Sequence, residues 1–157
     1  MSEHFEDFTL PAVCLTCTPP HWWGALAPED WTPDARWGLS DRVLEPLELL
    51  FDRRWSQARA GDAAAAIALS MEYDRDEVHP ALRSAMMSVL VANALLGSPA
   101  ARVVLIHILS RRSRHNASFD HALQGWVRLD RVLSVDAAKP VAAYDEAAAA
   151  ASCSTSN

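Results

Sequence analysis

Apolar side chains recur in steps of three and four over most of the chain, the spacing that places them on one face of a helix. Leu47, Leu50, Phe51 and Trp55 make a first such face. A second helix is predicted from Ala63 to about Tyr73, and a third over residues 81–96 with Leu82, Ala85, Met86, Val89, Leu90, Asn93 and Leu96 in register. A fourth, running to about Ser110, is apolar nearly all round and on that ground is expected to be the most buried element. A fifth, to about Ser134, carries Leu123, Trp126, Val127, Leu129, Val132 and Leu133, and residues 141–151 make a weak helix or capping element. Polar punctuation fits these bounds. Gly61 ends one helix and Asp62 caps the next, Pro80 suits a first helical turn, Ser98 and Pro99 open the fourth helix, and Ser118 is placed to cap the fifth.

Residues 61–73 and 97–109 are two copies of one phrase, Gly followed by a capping residue and an Ala-rich helix start, and they begin 36 residues apart. A period of roughly 20 to 50 residues marks helical arrays in which each unit buries its apolar face on the next. The fold class expected is therefore all-α, an antiparallel helix-pair stack forming a short αα-solenoid-like bundle. Residues 1–40 differ. Pro11, Pro19, Pro20, Pro28 and Pro33 interrupt long helices, so this stretch reads as an irregular arm packed on the body. Within it Thr32 and Pro33 look like an N-cap and first helical position, with Gly38 ending that turn. Ser40 and Asp41 would open a helical domain over residues 41–151, and 152–157 would be a disordered tail.

A chain of 157 residues suits one domain able to bury a core without metal or disulfides. Its net charge of -6 conceals an asymmetry: residues 1–80 hold 15 acidic and 6 basic side chains, residues 81–157 hold 5 and 8. Such a molecule would be electrically two-ended. Thirteen of the 14 basic residues are Arg, which reads as the mark of a bacterium with a GC-rich genome. The acidic start without an apolar run gives no signal peptide, and residues 85–96 are too short to span a bilayer. With three Cys, an odd number, the expectation is a cytoplasmic protein without a disulfide framework.

The first copy resembles a Sel-one-like repeat, a relative of the tetratricopeptide repeat. Gly61, Ala63, Ala65, Leu69 and Tyr73 stand at the family's Gly-x-Ala-x-Ala and Leu-Gly-x-x-Tyr positions, with Ser70 in place of the second Gly. Ala58 and Ala94 supply the small residue three before each Gly. In the second copy Ile106 and Leu109 replace Gly and Tyr. The resemblance covers about residues 55–110. It implies protein binding on a curved face and brings no catalytic residues.

Three constellations are candidates for chemistry or binding. Cys14 and Cys17, with His21 four positions on, offer three of the four ligands a structural zinc needs, with His4 or Cys153 as the fourth; their other reading is as plain loop cysteines. Trp22, Trp23, Trp31 and Trp37 are either an exposed binding surface or the anchors that pin the arm to the helices. The acidic Asp74, Asp76, Glu77 turn and the basic Arg111, Arg112, Arg114 loop, with Arg128 and Arg131 beyond it, are either docking sites for charged partners or solvated connections. His107, His115 and His121 do not share a helix face; His107 reads as a core histidine and His115 as a loop residue. No phosphate loop, nucleophile elbow or carboxylate pair is present, which argues against an enzyme. The function expected is a protein-binding module: an adaptor, chaperone or inhibitor. The alternatives are a zinc-stabilised regulator and an acidic mimic of nucleic acid that inhibits a nucleic-acid enzyme. Direct nucleic-acid binding is disfavoured by the acidic balance.

Overall fold

The computed structural model describes residues 21–45 and 52–137, and within them the protein is all-α. Seven α-helices follow in order: α1 Trp22–Ala25, α2 Pro33–Leu39, α3 Arg53–Arg59, α4 Ala63–Tyr73, α5 Pro80–Leu95, α6 Pro99–Ser113 and α7 Asp120–Ala137. From α3 onward each helix packs on the next in sequence, while α4 also meets α6 and α3 meets α5. Two layers result, with α3 and α5 in one and α4 and α6 in the other.

The two copies of the repeated phrase are two copies of one turn. Gly61 has φ 98° and Gly97 φ 97°, the left-handed region that a side chain disfavours. The Gly61 N–H donates to Ala58 O at 3.1 Å and the Asp62 N–H to Gln57 O at 3.0 Å; the Gly97 N–H donates to Ala94 O at 3.1 Å and the Ser98 N–H to Asn93 O at 3.2 Å. Both are Schellman closures, which satisfy the last carbonyls of one helix. The residue after each Gly then caps the following helix. Asp62 Oδ1 accepts from Ala64 N and Ala65 N at 2.9 and 3.1 Å, and Ser98 Oγ accepts from Ala101 N at 3.2 Å. Other starts follow the same logic: Thr32 Oγ1 accepts from Ala35 N, His79 Nδ1 from Ala81 N, and Pro33, Pro80 and Pro99 stand first in their helices. At α3 the Asp52 carboxylate accepts from Arg54 N at 2.9 Å and from the Arg54 side chain; that side-chain bond outweighs burial and holds the Asp52 pKa below the usual carboxylate range.

Small polar side chains fix how the layers meet. Ser70 Oγ donates to Ala66 O within α4 at 2.8 Å and lies 3.1 Å from Met86 O on α5. Asn93 Nδ2 donates to Val89 O within α5 and, at 3.0 Å, to Ala58 O on α3. Ala65 and Leu69 lie in the core between these helices, on the face that the repeat marks.

Three expectations are corrected. The most buried helix is α5, in which Ser84 to Leu90 and Val91, Asn93 and Ala94 are buried; α6 exposes Val103 and His107. The reason is position, since α5 is packed by α1, α3, α4, α6 and the turn 40–44, whereas a uniformly apolar sequence does not reveal how many neighbours cover it. Gly38 does not end α2, which continues through Leu39 into a π-helical turn, Ser40–Leu44, so no structural break falls at residue 40. Ser118 is not a cap: Asn116 Oδ1 accepts from Ser118 N at 3.0 Å and starts a 3-10 turn, Ala117–Phe119, before α7. The described part of the arm, residues 21–40, joins the main core through three of its Trp. Trp22 and Trp23 on α1 and Trp31 are buried among α1, α5 and α7, and Trp22 meets Trp31 edge to face with centroids 6.2 Å apart. Leu47, Leu50, Phe51, the weak helix 141–151 and the tail 152–157 lie outside the described residues.

Candidate functional site

The segment that follows α1 crosses α7 at a glycine. A Cβ at residue 125 would overlap Ala27 Cβ and lie 2.8 Å from Pro28 Cδ, so only Gly admits this crossing. A hydrogen bond fastens it on one side and an ion pair on the other. His121 Nε2 lies 2.7 Å from Asp30 Oδ2, and Arg128 pairs with Glu29. Residues 121, 125 and 128 share one helix face, so a single stripe of α7 receives the short 3-10 turn Pro28–Asp30.

Beyond the crossing the same stripe is uncovered. Ala122 and Trp126 are fully buried and Leu129 is half-buried, but every residue from Arg131 to Asp136 is exposed. Leu129, Val132 and Leu133 instead line a groove of about 550 Å³ together with Ala94, Leu95 and Gly97 and with Pro28, Glu29 and Arg36. Leu95 and Arg36 also line an adjoining hollow of about 220 Å³ with Leu39, Leu44, Ala92 and Leu96. The two hollows share Arg36 and Leu95 in their linings and are described together as one mostly apolar trough. Leu96 is 75% exposed and Val132 58%, large apolar surfaces for neighbours on a water-facing site. The charge at the lip is mostly positive: Arg36, Arg59, Arg102 and Arg128 against Glu29. Arg102 is nearly buried and bonds Asp130 at 2.8 Å, and Arg59 lies 3.6 Å from Glu45. Arg36 is exposed, donates through Nε to Trp31 O at 3.0 Å, and has no carboxylate partner among the described residues.

The residues singled out by sequence are placed differently. Trp22, Trp23 and Trp31 are buried and cannot serve as a binding surface; only Trp37 stays exposed, at 62%. The acidic turn and the basic loop face each other. Arg111 donates to both the carbonyl and the carboxylate of Asp74, and Arg112 reaches Asp74 Oδ1 through Nε at 3.2 Å and Asp76 Oδ1 through Nη1 at 3.1 Å. Burial opposes the charge on Arg112, but the hydrogen bonds and attraction of Asp74 and Asp76 prevail and raise its pKa. Asp74 is buried beneath this pairing, so the two clusters neutralise each other where the charge pattern suggested opposite ends. Glu77 and Arg114 are exposed beside them. Arg128 is taken by Glu29, and Arg131 is exposed on the far half of α7.

Among the described residues no group of three or more His, Cys, Asp or Glu is arranged to hold a metal. His21 is exposed at the head of α1, while Cys14, Cys17, His4 and Cys153 lie outside the described residues. His107 is exposed rather than a core histidine, His115 is exposed in its loop, and His121 is bound to Asp30. No described helix is long and apolar enough to cross a membrane. The trough residues Arg36, Leu95 and Leu96 carry no motif. Gly125 was the available signal, since a glycine inside a strong helix costs about 1 kcal/mol against Ala and invites a packing reason. The chain matches no protein-family description, no curated protein and no solved structure.

Proposed function

We propose that this chain is a non-enzymatic protein-interaction module, an adaptor, chaperone or inhibitor working in the cytoplasm, and that its docking face is the trough between α2, the end of α5 and the second half of α7. The observation that carries the reading is the apolar trough itself, open to water along Leu96, Val132 and Leu133 and edged by Arg36. Its chemistry suits an amphipathic segment of a partner that brings apolar anchors for the floor and carboxylates for the lip. A Sel-one-like or tetratricopeptide-type relation remains part of this proposal, supported by two turns of one geometry spaced 36 residues apart.

The pairing of Asp74 and Asp76 with Arg111 and Arg112 weighs against the acidic-mimic alternative. Affinity capture from cell lysate with the wild-type chain and with Val132→Asp/Leu133→Asp tests the proposal. A protein retained by the wild type and lost by the variant, at unchanged helical content, supports it. A partner held equally by both chains moves docking elsewhere.

A further inference from the structure

We draw no further inference here: the strongest candidate, the mostly apolar trough between α2, the end of α5 and the second half of α7, is the docking face already proposed, and nothing in the structure shows what covers it.

Discussion

The two halves of α7 share one helix and one apolar stripe, yet they belong to different environments. In the first half, Ala122 and Trp126 are fully buried and the N-terminal segment crosses at Gly125; in the second, Val132, Leu133 and Val135 carry the stripe into solvent. Amphipathic spacing states that a face can be covered. It does not state by what: the first half also receives the segment Ala27–Asp30, whereas residues 131–136 are exposed. An apolar stripe that outlasts its cover inside one continuous helix is the pattern expected where binding, rather than folding, completes the burial.

The comparison can be broken by measuring what each half contributes to stability. Trp126→Ala should have the largest effect, a loss of about 3 to 5 kcal/mol in chemical denaturation, because it empties a fully buried aromatic site. Gly125→Val should cost about 1 to 3 kcal/mol, since the new side chain meets Ala27 and Pro28 and must push the crossing off the helix. It should also weaken the Arg128–Glu29 contact. At the boundary, Asp130→Asn leaves the nearly buried Arg102 without its charge partner; Asp130 is itself partly exposed, so the expected loss is about 1 kcal/mol. Val132→Asp should fall within about 0.5 kcal/mol of wild type, as exposed substitutions do. A Val132→Asp cost matching that of Trp126→Ala would show that the second half is also part of the folded core, and the contrast between halves would fail.

The local rules of helix ends were legible in the sequence because they are written in adjacent residues. Gly61 with Asp62, Gly97 with Ser98, and Thr32 with Pro33 each name a residue whose backbone geometry or side-chain acceptor the turn needs, and each stands where its chemistry places it. The all-α class followed from the same information. What was not legible depends on distant partners. Asp74 meets Arg111 and Arg112 across 37 and 38 positions, and an acidic turn and a basic loop look alike on paper whether they face solvent or each other. The tryptophans had two readings that composition could not separate, and packing against α5 and α7 decided three of them. The trough was illegible for the opposite reason. It is made by what the N-terminal segment leaves uncovered, and no residue in it is chemically unusual.

The two Schellman turns also govern where this chain can change length. Each joins its helices through three residues, 60–62 and 96–98, and the last of the three is already the cap of the next helix. Each helical residue advances the face by about 100°. One extra residue at either turn would have to disrupt the shared closure or rotate the following helix, carrying Leu69 or Leu105 out of the core. The connections 74–79 and 114–119 are under no such geometric lock, although the first is stapled by Asp74. Natural variation in length, and any engineered insertion or circular permutation, should therefore fall at the other end of the helix pairs, around Glu77 and His115, while the Gly61 and Gly97 end keeps its count.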